Sequence, residues 1–374
     1  MAGIYIHVPF CKSICNYCDF YRVASSKYLQ QYIFCITKEL VLRRNFLEEE
    51  INTIYFGGGT PSLLSTENIQ NIISSIKFHF SCSNTLEITL EANPDDLSND
   101  YLNELVKTDI NRLSIGIQSF NNSFLKIMNR RHSAEIAINA IKNAQNYGFS
   151  NISADIIFGL PNQTLEDLNY DLQQMLMLHI QHISAYSLTY EANTIFSKWK
   201  DKQKIIPITD SLVAEMFYFV HNTLTNNDFE HYETSNFAKN GKYSIHNSNY
   251  WNRTKYVGIG AAAHSYNGKS RFWNVSNIKQ YCEKIMLDII PQEEEILSFK
   301  DEMNETILTG LRTSRGVNLI EFEKLFGNKY LKTLLSNSSS FIENKNLVLN
   351  NNFLKITEKG LIITDYITSE LFFL

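Results

Sequence analysis

The sequence lacks several features that would assign it to common classes of protein. Its 34 Lys and Arg are outnumbered by 39 Asp and Glu, and the net charge of −5 excludes a general nucleic-acid binder with a basic face. No apolar run is long enough to cross a bilayer. Residues 1–4 lack the basic segment and apolar stretch of a secretion signal. We therefore expect a cytoplasmic protein with no transmembrane segment and no nucleic-acid partner.

Cysteine is scarce outside one short segment. Of the six cysteines, Cys35, Cys82 and Cys282 stand alone in the sequence, and we expect ordinary buried thiols rather than disulfide partners. A reducing compartment suits such thiols and also suits an iron–sulfur cluster. Cysteine usage therefore agrees with a cytoplasmic location.

The other three cysteines lie close together, directly after a strand-like segment at residues 3–8. Cys11, Cys15 and Cys18 have the spacing C-x3-C-x2-C. Iron–sulfur clusters are usually held by four thiolates, so three thiolates leave one iron of a cubane cluster open. An open metal position distinguishes a reactive site from a structural one. A three-thiolate zinc site and three small buried core residues are the alternatives.

Six short apolar or β-branched segments recur, each followed by a helix-compatible stretch. They are residues 3–8, 53–56, 86–90, 113–117, 152–158 and 183–188. Nearly continuous apolar segments of this length are typical of parallel strands buried on both faces. Strand–helix repeats imply right-handed crossovers and a parallel sheet. Six units predict an α/β fold, an incomplete (β/α)6 barrel with a lateral cleft large enough for a bulky planar ligand.

Polar and glycine residues cluster where each predicted strand ends. The cysteine segment follows the first strand, and residues 57–61 (GGGTP) and 91–94 (EANP) follow the second and third. Gln118 ends the fourth strand, and Asp155 and residues 159–161 (GLP) mark the fifth. Functional groups of βα barrels gather at the carboxyl ends of the strands. We therefore predict one ring of ligand-facing groups.

These motifs resemble those of the radical S-adenosylmethionine (SAM) superfamily, and more narrowly its coproporphyrinogen-III-oxidase-like branch. The resemblance covers essentially the whole chain. It rests on the cysteine motif and on residues 5–11 (YIHVPFC), 55–62 (YFGGGTPS), 91–94 (EANP), 114–120 (SIGIQSF) and 155–161 (DIIFGLP).

The resemblance implies a 4Fe–4S cluster held by Cys11, Cys15 and Cys18, with SAM bound at the open iron. It places Tyr5 near the adenine, Arg130 near the SAM carboxylate and Asp155 near the ribose hydroxyls. An electron donor is expected if the cluster is redox active. The glycines at 57–59 are expected to let the backbone approach the amino-acid part of SAM. The implied SAM-contacting residues are Tyr5, Gly58, Gly59, Thr60, Glu91, Gln118, Arg130 and Asp155. Arg130 could otherwise lie at a solvated helix end.

Two features separate the oxidase from the heme chaperones of this branch. The oxidase motif continues to a further cysteine at the position that Phe20 occupies here, and the oxidase carries a longer N-terminal segment. Residues 246–251 (HNSNYW), 258–265 (GIGAAAHS) and 271–274 (RFWN) resemble the chaperone group. We therefore expect a chaperone that binds heme and transfers it to recipient hemoproteins. Oxygen-independent coproporphyrinogen III oxidation is the alternative, a SAM-dependent regulator without turnover is a weaker one, and enzymatic activity stays open.

A heme site needs an axial nitrogen or sulfur ligand and an apolar, partly aromatic wall. His246 is the candidate ligand, with Tyr250 and Trp251 beside it. The alternative is that His246 is a hydrogen-bonded structural residue. His264, among small residues, is expected to be structural or adjacent to SAM.

The chain is predicted to divide into a partial barrel at 1–225, a connecting region at 226–297 and a C-terminal domain at 298–374. In the last part we expect helices at 301–311, 319–325 and 358–371 and a wing-like hairpin within 347–356. Residues 336–340 and 344–352 are expected to be loops. The pattern is typical of winged-helix modules, but no basic recognition helix is present, so DNA binding is not expected.

Overall fold

Six strand–helix units form the first part of the protein, because short β-branched runs alternate with longer amphipathic segments. The structure is a computed structural model that describes residues 1–374. Strands β1–β6 are Ala2–Val8, Ile51–Gly58, Cys82–Ala92, Arg112–Gln118, Ile152–Phe158 and His182–Ser187. Helices α1–α8 are Leu29–Leu42, Thr66–His79, Asn99–Leu105, Asn122–Ile127, Ala134–Asn146, Leu165–Met177, Ile195–Asp201 and Asp210–Thr225.

Side-chain caps fix where most of these helices begin. Seven of the eight, α2 to α8, follow a Ser, Thr or Asn whose side chain accepts a hydrogen bond from a backbone N–H of the first turn. Such a cap satisfies a donor that has no partner within the helix and stabilises it by about 1 kcal/mol. The sequence thus marks where seven of the eight helices begin.

The six strands pair in chain order and all are parallel, but the barrel does not close. Strand β1 pairs with β2 on one edge, and β6 pairs with β5. No ladder joins β1 to β6. The incomplete (β/α)6 barrel predicted from the sequence is confirmed.

The two faces of the barrel strands differ in chemistry. Ile4, Ile6 and Val8 of β1 belong to a core of 58 buried residues between the sheet and the helices. The inner face carries aromatic and polar side chains instead, such as Tyr5 and His7. Further polar side chains are buried on the following strands: Thr53, Thr89, Arg112, Ser153 and His182. The strands are buried on both faces, as expected, but the inner face is not apolar because it lines a site.

Residues 226–297 extend the sheet beyond both edges of the barrel. Their strands β7–β12 are Glu230–Glu233, Asn236–Ala238, Tyr256–Ile259, His264–Tyr266, Ser270–Asn274 and Gln292–Ile296, and their helices α9 and α10 are Ile245–Trp251 and Ile278–Met286. Strand β8 adds antiparallel to β6, and β9 adds parallel to β1. The resulting sheet has 12 strands in the order β12-β11-β10-β9-β1-β2-β3-β4-β5-β6-β8-β7.

A buried carboxylate joins helix α1 to the strands beside β1. Glu39 is fully buried and pairs with Arg43 at 2.7 Å between Oε1 and Nε. The same carboxylate accepts hydrogen bonds from Asn274, from the Gly260 N–H and from the Tyr281 hydroxyl. Four donors compensate the desolvation of this charge, which is the condition for a buried ion to be tolerated.

The C-terminal part has its own small core and its own sheet. Its elements are α11 (Phe299–Leu311), β13 (Val317–Asn318), α12 (Leu319–Phe326), α13 (Asn328–Glu343), β14 (Leu347–Asn350), β15 (Phe353–Ile356) and α14 (Thr364–Glu370), with a 3-10 turn at Glu358–Ile363. The wing-like hairpin β14–β15 was predicted. Residues 336–340, expected as a loop, instead lie in α13, because Leu334 and Ser338 of that helix are buried. None of the helices combines the length and apolar character that a membrane crossing demands.

Candidate functional site

The carboxyl ends of β1 to β5 meet at the mouth of the barrel, and the predicted cluster and SAM residues lie there. The loop with Cys11, Cys15 and Cys18 follows β1, and Thr60 follows β2. Parallel strands bring their carboxyl ends to one edge, so residues far apart in sequence face the same space.

Two of the cysteines are in contact with residues of other loops. The Thr60 hydroxyl donates to Cys11 Sγ at 3.5 Å, and Arg130 Nη1 donates to Cys15 Sγ at 3.4 Å. Burial raises the pKa of the Cys18 thiol to about 11, and the Arg22 guanidinium opposes that rise. Cations beside sulfur favour the thiolate, the form that binds metal. No three His, Cys, Asp or Glu side chains are gathered as around a single metal ion, so the geometry favours neither the zinc site nor the iron–sulfur cluster over the other.

One carboxylate ties the loops of the mouth together. Asp96 accepts hydrogen bonds from Lys12 of the cysteine loop at 2.8 Å, from the Ser62 hydroxyl at 3.0 Å and from Arg131 at 3.0 Å. Its side chain is 2 % exposed. Charge-assisted hydrogen bonds to a buried carboxylate are stronger than neutral ones. Asp96 therefore fixes the cysteine loop relative to the loops after β2 and β4.

The glycines after β2 are required by their own protein neighbours. Gly58 has φ +108°, and a Cβ there would lie 2.5 Å from the His7 ring. A Cβ on Gly59 would lie 2.8 Å from the Val8 carbonyl oxygen. Only glycine adopts this backbone and this approach without strain. The expectation that these glycines simply make room for a ligand is thus incomplete, since they first allow β2 to pass close to β1.

Glu91 holds the glycine loop from the barrel interior. Its Oε2 accepts the Gly58 N–H at 3.2 Å, and its Oε1 accepts the Tyr55 hydroxyl at 2.9 Å. Burial raises the pKa of Glu91 to about 7, and the two hydrogen bonds only partly oppose the rise. The pKa of Asp155 is raised to about 6, again chiefly by burial. Two carboxylates with raised pKa at one cavity are typical of a site that receives a cationic or hydroxyl-bearing ligand.

The end of β4 is irregular, and Arg130 packs against it. Gln118 has φ +70° after a register shift in the β4–β5 ladder. Arg130 Nη2 donates to the Gly116 carbonyl at 2.6 Å and to Asn93 Oδ1 at 2.7 Å. Backbone strain of this kind clusters at functional sites, where the surrounding structure maintains it. Arg130 is half-buried and its guanidinium is hydrogen bonded to Gly116, Asn93 and Cys15, so it does not extend into solvent from the end of α4.

Several buried polar atoms at the mouth have no partner. They are Gln118 Oε1, Asp155 Oδ1, Arg130 Nε and Thr89 Oγ1. Nearly all buried polar atoms in native proteins are hydrogen bonded, and an exception needs a cause such as a water, an ion or a ligand. Unpaired acceptors and an unpaired guanidinium nitrogen fit SAM, whose ammonium, carboxylate and ribose hydroxyls need such partners.

Tyr5 connects the mouth with the deeper barrel interior. Its ring stacks on Tyr55 at a centroid distance of 6.2 Å and on His246 at 6.3 Å. Its hydroxyl is hydrogen bonded to His7 Nδ1 at 3.0 Å. An aromatic face held in this way is suited to stack against a planar base.

His246 lies inside the barrel with both ring nitrogens engaged. Nδ1 is hydrogen bonded to Thr53 Oγ1 and Nε2 to the Tyr250 hydroxyl, each at 2.9 Å. Glu87 accepts the N–H groups of Ile245 and His246 and so caps helix α9. Burial lowers the pKa of His246 to about 3. This geometry corresponds to the hydrogen-bonded structural alternative, and the geometry does not support its prediction as a heme ligand.

A cleft of about 840 Å³ opens beside β1, between the extended sheet and the C-terminal part. One wall is the face of β9–β11 that carries Tyr256, Tyr266, His264 and Arg271. The exposed Phe20 of the cysteine loop lies at its rim. Ligand pockets that bury drug-sized molecules measure roughly 300–1000 Å³. The sequence predicted a lateral opening of the unclosed barrel, whereas this cleft is formed largely by the added strands and helix α11.

Sequence reasoning missed three residues of these cavities. Asn93 and Asp96 organise the mouth, and the EANP motif pointed to their neighbourhood without assigning them roles. Arg112 is 1 % exposed inside the barrel, and its Nε has no partner. No motif marks Arg112, because its importance comes from burial among other strands.

Comparison with known proteins gives the family. Residues 5–175 match the model of the radical SAM superfamily, and residues 297–363 match that of the HemN C-terminal domain. The chain is 34% identical to heme chaperone HemW of Lactococcus lactis subsp. lactis (strain IL1403), over 95% of this chain and 93% of that protein. It belongs to the HemW family. HemW of Bacillus subtilis (strain 168) is 35% identical over 89% of this chain and 88% of that protein.

A solved structure shares the fold. Coproporphyrinogen III oxidase (HemN) from Escherichia coli matches with a TM-score of 0.85 over 99% of this chain and 89% of that chain, at 20% identity. The likeness extends through the barrel, the added strands and the C-terminal part. Membership of the radical SAM superfamily implies a 4Fe–4S cluster and SAM, and the unpaired polar atoms at the barrel mouth fit SAM.

Proposed function

We propose that the protein is a cytoplasmic heme chaperone, which binds heme and transfers it to recipient hemoproteins. The HemW relatives carry that activity in their names and align over nearly the whole chain. The cytoplasmic location is supported by the cysteines, since none of the six forms a disulfide and an iron–sulfur cluster suits a reducing compartment.

The single observation that carries the proposal is the cleft beside the cysteine loop. Heme is flat, largely apolar and edged by two carboxylates. Tyr250, Tyr256 and Tyr266 offer aromatic contacts, while Arg253 and Arg271 offer positive charge. Aromatic walls with a few well-placed polar groups are typical of cofactor sites.

The cluster and SAM, when bound, supply one-electron chemistry at the sulfonium, and the protein supplies binding and orientation. Cys11, Cys15 and Cys18 would hold the cluster. Glu91 and Asp155 are suited to pair with the ammonium and hydroxyl groups of SAM. Arg130, which contacts the cysteine loop, is suited to pair with the SAM carboxylate. An electron donor is needed only if the cluster is reduced in turnover.

Coproporphyrinogen oxidation is the competing function, favoured by the shared fold. Phe20 argues against it, because its side chain is 64% exposed at the position where the oxidase motif has a further cysteine. Porphyrinogen turnover by this protein would therefore replace the chaperone function as the conclusion.

The test uses anaerobically reconstituted protein. We expect stoichiometric heme binding in a spectrophotometric titration. Transfer of that heme to an apo-hemoprotein should be faster than transfer of heme from albumin. The same preparation, incubated with coproporphyrinogen III, SAM and a reductant, should form no protoporphyrinogen. Sustained protoporphyrinogen formation, or a lack of heme binding, would overturn the proposal.

A further inference from the structure

The cleft contains one histidine with both ring nitrogens free. Of the nine histidines, only His7 and His264 line the cleft. His7 is committed, because Nδ1 is hydrogen bonded to the Tyr5 hydroxyl and Nε2 to the Tyr21 carbonyl. His264 is exposed, and neither of its ring nitrogens has a hydrogen-bond partner. A neutral imidazole with a free nitrogen is a common ligand for iron.

His246, by contrast, stands one layer behind the cleft wall. Tyr250 lines the cleft and is hydrogen bonded to His246 Nε2, so the tyrosine lies between the imidazole and the cavity. To bind iron, His246 would have to break its partly buried hydrogen bond to Tyr250 and displace that residue. Leaving a buried donor or acceptor unpaired is unfavourable. His264 pays no such penalty.

The strand register places His264 and Arg271 on one face of the same wall. His264 pairs with Trp273 and Tyr266 pairs with Arg271 in the antiparallel β10–β11 ladder. Directly paired residues share a face, and diagonal neighbours such as His264 and Arg271 are roughly 7–8 Å apart. A macrocycle lying parallel to this face, with its iron over His264, would bring its edge towards Arg271.

On this wall, Arg271 can bind a carboxylate of a ligand. Arg271 makes one ion pair, from Nη2 to Glu305 Oε1 of α11 at 2.7 Å, and its side chain is 46% exposed. Arg253 is more fully occupied, since it donates to Thr306, the Glu302 carbonyl and the Tyr266 hydroxyl. Arg271 therefore has donors to offer to a ligand, whereas Arg253 mainly fastens α11 to the sheet.

The backbone before His264 is held in an unusual conformation that directs this strand. Ala262 has φ +61° and lines the cleft. Asn274 donates to the Gly260 carbonyl and to Glu39, which fixes the loop from below. A non-glycine residue in the left-handed region persists only where its surroundings impose it, and such residues concentrate at ligand sites.

We propose that His264 is the axial ligand of heme iron in this cleft and that Arg271 binds a heme propionate. The inference rests on the proposed heme-binding function and assigns it to residues other than the HNSNYW motif. Heme then lies between the face of β9–β11 and helix α11, with Leu308 and Thr309 on the opposite side.

The ligand assignment is tested by heme titration of purified full-length variants. His264→Ala should raise the Kd for heme at least tenfold and shift the Soret band, and added imidazole should restore the wild-type spectrum. His246→Gln, which keeps an amide for the internal hydrogen bonds, should retain that spectrum. His79→Ala, on helix α2 outside the cleft, is the matched control and should change neither quantity.

The propionate contact is tested with heme dimethyl ester. Arg271→Ala should weaken binding of heme but not of the ester, whereas Arg44→Ala, at the exposed end of α1, should affect neither. If wild-type protein binds heme while His264→Ala keeps its affinity and spectrum, the ligand assignment fails and the chaperone proposal stands. If wild-type protein binds no heme, the chaperone proposal fails first. A changed spectrum in His246→Gln alone would return the ligand role to His246.

Discussion

The mouth of the barrel and the lateral cleft are built in different ways. At the mouth, the polar groups lie on strands β1 to β5 or in the segments that follow them, within the first 160 residues, and Asp96 and Glu91 join the loops by hydrogen bonds. In the cleft, the walls come from the cysteine loop, strands β9–β11 and helix α11, and Arg253 is a main cross-link. The mouth is thus a rigid site for a small polar cofactor, and the cleft is a broad aromatic site completed by a second module.

The largest expected effect is loss of the cluster and of SAM binding at the mouth, with no effect on heme binding in the cleft. Cys15→Ala removes a proposed cluster ligand that also contacts Arg130, so we expect loss of the iron–sulfur chromophore and of SAM binding, while heme affinity persists. Iron and sulfide analysis, SAM calorimetry and heme titration measure the three quantities. Cys82→Ala, outside the motif, is the control. Parallel loss of heme binding would show that the two sites are not independent.

The next effect concerns the support beneath the cleft wall. Glu39→Ala leaves Arg43 buried without its partner and removes acceptors from Gly260 and Asn274, so the free energy of unfolding should fall by about 3–5 kcal/mol. Urea unfolding of this variant beside Glu48→Ala, an exposed glutamate, measures the loss. A decrease no larger than that of the control would mean that the network does not stabilise the added strands.

The mouth should respond to pH through Glu91. Because burial raises its pKa from 4.5 to about 7, ionising Glu91 costs the folded protein stability as pH rises between those values. SAM carries an ammonium that favours the carboxylate, so SAM affinity should increase with pH and fall about tenfold per unit below pH 7. Calorimetry at pH 6 and pH 8 measures this difference. In Glu91→Gln the dependence should be weaker, and an unchanged pH profile in that variant would exclude Glu91 as its source.

The smallest effect concerns the rim of the cleft. Phe20→Ala removes an aromatic contact of about 1 kcal/mol, so the Kd for heme should rise roughly fivefold without a change in SAM affinity. Phe78→Ala is the matched control, since Phe78 is 83% exposed on helix α2. An equal effect of both variants on heme binding would place heme elsewhere.

The mouth could be predicted in detail because strand order and strand ends are encoded locally. The runs at 3–8 and 152–158 coincide with β1 and β5 to within one residue at either end, and the cysteine and glycine motifs follow them directly. The sequence does not show why individual residues are required at their positions. Gly58 is needed because the His7 ring is close, and this contact exists only after β1 and β2 pair.

The cleft and its lining could not be predicted from the sequence. His264 and Arg271 share a face through the register of β10 and β11, which no sequence motif specifies. The sequence predicts His246 as a heme ligand because aromatic residues follow it. Its hydrogen-bond partners Thr53 and Tyr250 are seen only in the folded structure. Helix α13 was missed because its Ser-rich segment 336–340 has little apolar periodicity, although Ser338 donates to the Leu334 carbonyl within the helix.

Strand β1 is paired along both edges, with β2 on one side and β9 on the other. Side chains alternate along a strand, so a slip of one residue exchanges its two faces. Deleting Gly3 while Ala2 keeps its register would turn Tyr5 and His7 towards the helices and bring Ile4 and Ile6 into the interior. The length of this one strand therefore sets the alignment of both cavities, and an insertion or a deletion there would disturb both.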